Sequence, residues 1–388
     1  MLSAAVHCGA FSQIYSQQQL IKAGHWIYDA LFKLYAENAR LTIADSAPLS
    51  VAELRLYFDA LLPYFIKDFE CLRIGSGSVI EKYKSCAGVT VCECTAEPFS
   101  VQELFFFPKN VLKKLNECGA FYTPYCNIPG GIRVPVYTTI HDIVFLDVPG
   151  LASKAGTFVR KCFYRRAARK SAAVFTVSNF SAERIKTLLH CKKPVVVTYN
   201  AAPEYLSSRT DGTEIIRKEK HSVLFVGNIK KHKGLKVLLD AFRLLLKKVP
   251  DSRLIIVGNA ENFRTGDTAI FEEIKTLPPS AVCFTGKISN EELKNCYYKA
   301  NLLVQPSFYE GFGMPPLEAL TCGTNAVISD IPVFREIYRD FPVTFFSSGN
   351  ADDLAEKIEK SFELPEVRDI PKIYSFSKTF ETIKKELI

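Results

Sequence analysis

Between Ser307 and Ala319 two carboxylates, Glu310 and Glu318, stand eight positions apart. The first precedes a Gly311–Phe312–Gly313 turn, and the second lies in a helix that the Pro315–Pro316 pair is placed to start. A glycine-flanked loop entering a helix leaves backbone N–H groups unpaired at the positive end of the helix dipole. Such an end seats an anionic or polyhydroxylated ligand. Glu310, at the loop mouth, can accept hydrogen bonds from sugar hydroxyls, and Glu318 faces the same cleft about two helical turns further on.

A second cluster suits the other half of such a ligand. Lys230, Lys231, His232 and Lys233 follow Gly227–Asn228 and precede Gly234. Four cations or near-cations at the carboxyl end of a strand suit a diphosphate, whose charge they would neutralise as it departs. The bland alternative is a solvated basic turn; the position between two glycines, ahead of an amphipathic helix, favours phosphate. The G-x-x-x-x-G-K-[ST] order is missing, and no G-x-G-x-x-G follows a predicted strand, which argues against a P-loop nucleotidase and a nicotinamide dehydrogenase. His141–Asp142 ends the apolar run Pro135–Ile140. A histidine there can bond a substrate hydroxyl or orient a reacting group, or simply be held by local bonds. His7, His25, His190 and His221 have no such context and read as structural or surface residues.

The elements that must carry these residues alternate. Apolar runs at Val223–Val226, Leu254–Val257, Ala281–Thr285, Leu302–Gln305 and Ala326–Ser329 are separated by helical patterns at Lys236–Val249 and Pro315–Thr321. Ser289 with Glu292 predicts a capping box opening a further helix. Strand–helix alternation implies a parallel, doubly wound sheet with ligands at the carboxyl ends of strands. In the first half, Pro135–Ile140, Ala173–Val177 and Val195–Tyr199 read as buried strands. Residues 1–100 show helical pattern at Trp26–Glu37 and Val51–Phe65 but no clear first strand. The polar stretch Ser207–Lys220 is the expected interdomain linker.

At 388 residues, two domains are the default. The expected division is 1–206, 207–365 and a C-terminal helix at 366–388 crossing back to the first domain. Hydrophobic content of 48% and charged content of 23% describe a globular chain, and no apolar run approaches the about eighteen residues of a membrane span. Met1–Val6 has no basic lead and makes a poor signal peptide, so the expected location is cytoplasmic. The twelve cysteines are scattered, with Cys92 and Cys94 in C-x-C spacing, so reduced, mostly buried thiols are expected and no metal. The net charge of +8 favours anionic partners. Lys161–Lys170 predicts a basic helix with Phe163 and Tyr164 on one side. It could rest on an anionic membrane face as a peripheral contact, or pack on its own domain; nothing resembling a nucleic-acid reader accompanies it.

Taken in order, these segments resemble the retaining glycosyltransferases of family 4, which have the GT-B fold. Tyr122–Pro124 ahead of Thr139–Val144 is similar to the family's strand ending in His-Asp, and Thr176–Ser181 to its V-S-x-x-S segment. Val196–Ala201 resembles the strand ending in asparagine. Val226–Asn228 with Lys233–Gly234 resembles the phosphate loop, Phe284–Gly286 the base-contacting loop, and Glu310 to Glu318 the E-x7-E element. The resemblance covers roughly residues 95–360.

It implies an α/β protein of two Rossmann-like doubly wound domains facing a cleft, with nucleotide sugar on the C-terminal domain and acceptor on the N-terminal one. It implies hexose transfer from a nucleoside-diphosphate sugar to a glycan or lipid-linked acceptor, with retention of configuration and without metal or cofactor. Mannose from GDP-mannose is the favoured donor, from the His-Asp and Gly-Asn segments. Carried over by position, Lys233 contacts phosphate, Glu310 and the Gly311–Phe312–Gly313 backbone hold the donor sugar, and Glu318 holds the ribose. Lys287, after Gly286, lies where the base binds, and His141 approaches the sugar from the opposite domain. The family often sets an arginine beside the phosphate lysine; here Asn228 and His232 occupy the candidate positions, leaving Lys230 or Lys231 to supply the second charge. The usual first strand and glycine-rich loop are missing, with His7–Ala10 as a divergent version or the chain starting late. A sugar-nucleotide epimerase of the same architecture and a non-catalytic nucleotide-sugar-binding subunit are the two alternatives.

Overall fold

A computed structural model of the chain describes residues 40–44, 52–75, 77–96, 101–207, 217–258 and 268–388. The helix expected at Trp26–Glu37, together with His7, His25 and the His7–Ala10 turn, lies outside them, as does most of the expected linker. Strands β1 (Arg40–Ala44), β2 (Glu70–Gly75), β3 (Val89–Glu93), β4 (Ala120–Thr123), β5 (Val136–Thr139), β6 (Ala173–Thr176) and β7 (Val195–Val197) form one sheet. Its order is β3-β2-β1-β4-β5-β6-β7, and every pairing is parallel. Strands β8 (Glu219–Val226), β9 (Arg253–Val257), β10 (Val282–Gly286), β11 (Ala300–Gln305), β12 (Asn325–Ser329) and β13 (Val343–Phe346) form a second parallel sheet, ordered β10-β9-β8-β11-β12-β13.

The expectation that residues 1–100 hold no clear first strand is corrected: β1 lies inside the first sheet, flanked by β2 and β4. Arg73, fully buried on β2, breaks the apolar pattern that would have marked that strand. Its guanidinium lies 3.9 Å over the Tyr83 ring and reaches Asp59 at 3.3 Å, so the charge is buried together with a carboxylate and an aromatic face. β8 also begins earlier than expected, at Glu219 inside the polar stretch, because Ala300 of β11 pairs with it there.

Both sheets reverse strand order at one point, β1/β4 in the first and β8/β11 in the second. Open parallel sheets bind ligands in the crevice outside such a switch, where the loops from the two strands diverge to opposite faces. The loop after β8 carries Lys230–Lys233, and the loop after β11 carries Glu310. The topology therefore brings residues 77 positions apart to one crevice.

Helices cover both sheets. The helix α1 (Ala52–Asp68) packs Leu61 and Phe65 against the first sheet. The helices α2 (Lys154–Lys170) and α3 (Asn179–Leu189) are opened by Ser153 and Ser178, whose hydroxyls cap them. In the second unit come α4 (Leu235–Lys248), α5 (Asn290–Lys299), α6 (Met314–Thr321), α7 (Pro332–Ile337) and α8 (Ala351–Ser361). The Ser289–Glu292 capping box opens α5 as expected. The last helix, α9 (Phe376–Leu387), buries Phe376, Phe380, Ile383 and Leu387 with Leu61 and Phe65 of the first unit, and Lys384 pairs with Asp68 at 2.9 Å. Among the described residues, no helix is long and apolar enough to cross a membrane.

Candidate active site

The crevice is built from short connections at the carboxyl ends of β8 and β11. After β8, Gly227 and Asn228 lead into a turn, Lys231–Lys233, closed by Gly234 in the left-handed region at φ 69°. A Cβ at Gly234 would lie 1.9 Å from the Pro306 carbonyl oxygen, so only glycine lets the two loops touch. The contact is sealed by the Phe308 N–H, which donates to the His232 carbonyl at 2.8 Å. Gly227, Gly258 and Gly286 stand together at the ends of β8, β9 and β10: the Gly258 N–H donates to the Gly286 carbonyl at 3.2 Å, and a Cβ on Gly258 would meet the Gly227 carbonyl at 2.2 Å. This bare backbone floor continues the crevice toward Lys287, which is exposed.

Lys233 and Glu310 meet at its centre. Lys233 Nζ donates to both carboxylate oxygens at 2.8 Å. The Ser307 hydroxyl donates to Oε1 at 2.7 Å, and Gln305 Nε2 to the same oxygen at 3.2 Å. Burial opposes the Glu310 charge, but the Lys233 ammonium and the Ser307 hydroxyl outweigh it and hold the pKa below the ordinary value. The two groups expected at opposite ends of one ligand are in direct contact.

The basic cluster needs one correction. His232 is buried, and burial together with the Lys233 charge pushes its pKa down to about 4, so it is neutral rather than near-cationic. The remaining charges divide by direction. Lys231 is exposed, whereas Lys230 places Nζ 5.2 Å over the Phe145 ring and lies close enough to act on both Asp142 and His232. Geometry thus puts Lys230, not Lys231, beside Lys233.

The first unit supplies the opposite wall. His141 and Asp142 follow β5, and Gly311 lies so close that a Cβ there would sit 2.9 Å from the His141 carbonyl oxygen. His141 packs edge-on to Tyr57, with ring centroids 4.9 Å apart. Burial drives its pKa down to about 4 despite a hydrogen bond to the Pro124 backbone, leaving a neutral ring. Burial raises the pKa of Asp142, whose Oδ1 accepts from the Val144 N–H at 3.0 Å. Among the described residues, His141 Nε2, His232 Nδ1 and Gln305 Oε1 are buried polar atoms without a hydrogen-bond partner. Buried polar atoms are almost always paired, so these three are candidate partners for ligand hydroxyls; Gln305 Oε1, an acceptor, needs an O–H or N–H donor.

Two contacts across the units were not anticipated. The Ser178 hydroxyl donates to the Gly311 carbonyl at 2.6 Å, tying the V-S-x-x-S segment to the glycine turn. Glu336 of α7 accepts from the Asn179 and Phe180 N–H groups at 2.7 and 2.9 Å, placing a carboxylate at the positive end of α3. Glu318 lies on α6, where the Tyr297 hydroxyl donates to it at 2.5 Å. The Phe312 side chain is buried against Tyr374, with centroids 5.3 Å apart, so only its backbone can face a ligand.

The two buried imidazoles make stability depend on pH. Above the ordinary value of 6.5 they are neutral in both folded and unfolded chains. Below it the unfolded chain takes up protons that the folded chain refuses until about 4, so stability present above 6.5 is lost as pH falls through this window. The melting temperature is expected to drop across it, and less steeply in a His141→Gln/His232→Gln variant. Parallel profiles would contradict buried, neutral rings.

Residues 209–377 match the family described as Glycosyl transferases group 1. The chain is 30% identical over 216 residues to O-antigen chain mannosyltransferase RfbU of Salmonella typhimurium, covering 51% of this chain and 53% of that one. It is 26% identical over 211 residues to O-antigen chain mannosyltransferase B of Escherichia coli, covering 52% and 55%. The match thus spans about half the length of these curated relatives. Among solved structures, HepE of Anabaena in complex with UDP and glucose superposes with a TM-score of 0.63 at 16% identity, covering 90% of this chain and 94% of that one. Sucrose-phosphate synthase of Thermosynechococcus elongatus superposes at 0.59 and 15% identity, covering 90% and 95%. At such identities the likeness is one of fold.

Proposed function

We propose, from a GT-B fold whose residues 209–377 belong to the glycosyl transferases group 1 family, that this protein transfers a hexose from a nucleoside-diphosphate sugar to a glycan or lipid-linked acceptor, with retention and without metal. The observation that carries the reading is the Lys233–Glu310 pair at the β8/β11 switch, walled by His141 of the other unit. Lys233 and Lys230 supply positive charge to the diphosphate, and the glycine turn at the start of α6 offers backbone N–H groups at the positive end of that helix. These charges stabilise the leaving group as the glycosidic bond to it breaks. Glu310 accepts hydrogen bonds from donor-sugar hydroxyls, and the lone pair on His141 Nε2 accepts another from the acceptor side. Glu318, oriented by Tyr297, holds the ribose, while Lys287 stands at the base end.

GDP-mannose is the first donor to test, since two relatives are named as mannosyltransferases, and UDP-glucose the second, since HepE was solved with UDP and glucose. A thermal-shift panel of nucleotide sugars checks the reading. One donor should raise the melting temperature more than its free nucleoside does, because only the folded form binds it. That donor should then yield a glycoside of unchanged anomeric configuration. A panel in which no nucleotide sugar shifts the protein would overturn the proposal.

A further inference from the structure

On the basic helix α2, the aromatic pair singled out in the sequence takes the second of its two expected placements, packed on its own domain. Phe163 and Tyr164 pack inward against the core that holds Val174 and Ile185. What α2 leaves in solvent is a different stripe: Ala155, Phe158, Val159, Cys162, Arg165 and Arg169, at helical spacing, with Phe158 68% and Val159 50% exposed. A second exposed pair, Phe105 and Phe106, at 69% and 71%, ends the short helix Val101–Phe105.

These two elements flank the same loop. The Gly130 N–H donates to the Leu104 carbonyl at 2.9 Å, and the Arg166 guanidinium donates to the Ile128 carbonyl. Cys126 feels the charges of both Glu103 and Arg160. The Arg160 guanidinium lies 4.6 Å over the Phe145 ring that Lys230 also covers, so the face borders the mouth of the crevice.

Its charge is lopsided. Residues 101–170 hold eleven lysines and arginines and four acidic residues, a net +7 in a chain whose total is +8. Of the four acids, Glu103 is buried, Asp142 lies against Gly311 in the crevice, and Asp147 is paired with Arg184. Lys109, Lys113, Lys154, Arg165 and Arg169 are exposed. Burial, and then the neighbouring guanidiniums of Arg166 and Arg169, lower the Lys170 pKa.

We propose that this face docks on an anionic lipid surface, with Phe105, Phe106, Phe158 and Val159 inserted at the headgroup boundary and the surrounding lysines and arginines on the headgroups. Charge complementarity alone would serve any polyanion, but four exposed apolar side chains among cations gain only where an apolar phase lies beneath the charge. Docking so would hold the crevice mouth beside the bilayer.

Co-sedimentation of the full chain with vesicles tests this. Wild type should partition onto mixed phosphatidylcholine and phosphatidylglycerol vesicles and not onto phosphatidylcholine alone. Phe105→Ser/Phe106→Ser/Phe158→Ser should weaken that partition by on the order of tenfold or more, with unchanged melting temperature because the side chains are exposed. Arg165→Ser/Arg169→Ser should also weaken it, with a smaller dependence on salt. Wild type that stays in solution with anionic vesicles would overturn the proposal, as would an aromatic variant that sediments like wild type. Equal binding to duplex DNA, indifferent to the phenylalanine changes, would assign the face to a polyanion and overturn it too. The vesicles carry neither nucleotide sugar nor acceptor, so this result is independent of whether transfer is found.

Discussion

Glu310→Gln is expected to lower the rate of sugar transfer by on the order of a thousandfold while leaving the protein folded. The substitution keeps the shape and the hydrogen bonds from Ser307 and Gln305 but removes the charge that both those donors and Lys233 are aimed at. A neutral amide accepts sugar hydroxyls less strongly and can turn its N–H2 toward them. It also releases Lys233 from its counterion, so affinity for the nucleoside diphosphate should hold or tighten. Loss in kcat with nucleotide affinity retained is therefore the signature, read by initial rates and by titration calorimetry. Transfer near the wild-type rate would remove Glu310 from the reaction.

The second unit was legible because its central strands β8, β11 and β12 are buried and read as unbroken apolar runs. Val223–Val226 and Leu302–Gln305 fall inside β8 and β11, and Ala326–Ser329 matches β12 to within a residue. The first unit hid β1 to β4 for physical reasons. β2 carries the buried Arg73, intelligible only once Tyr83 and Asp59 are folded onto it. β4 is four residues long, and β3 is an edge strand with exposed positions. Strand order brings the candidate residues together: glycines and lysines after one strand and a glutamate after another are separate observations until β8 and β11 are neighbours. Glu336 and Tyr297 could not have been singled out. Glu336 reads as one surface charge among many, and Tyr297 sits on a polar helix whose buried face only packing reveals. The neutral state of His232 was equally hidden, since adjacent lysines suggest a cationic cluster and burial decides otherwise.

Lys233→Met is expected to weaken nucleoside diphosphate binding about 10- to 100-fold, in line with loss of a charged, partly buried donor, while binding of the free nucleoside stays within about twofold. Equal losses for both ligands would contradict a phosphate role and point to a collapsed site. Methionine keeps an unbranched apolar stem but strands Glu310, which is 8% exposed, without its counterion. Its pKa must then rise, because burial already opposes the charge and Lys233 is the main opposing influence. Removing one partner of a buried pair destabilises by about 3–5 kcal/mol, a sizeable fraction of a domain's stability. The remedy separates structure from function. Lys233→Met/Glu310→Gln leaves neither charge buried alone, so the melting temperature should recover most of what the single change lost. Neither nucleotide affinity nor transfer should return with it, since the ammonium is still missing. A double variant as unstable as Lys233→Met would mean that the unpaired Glu310 charge is not the source of the instability, and a double variant that regained nucleotide affinity would take the diphosphate role from Lys233.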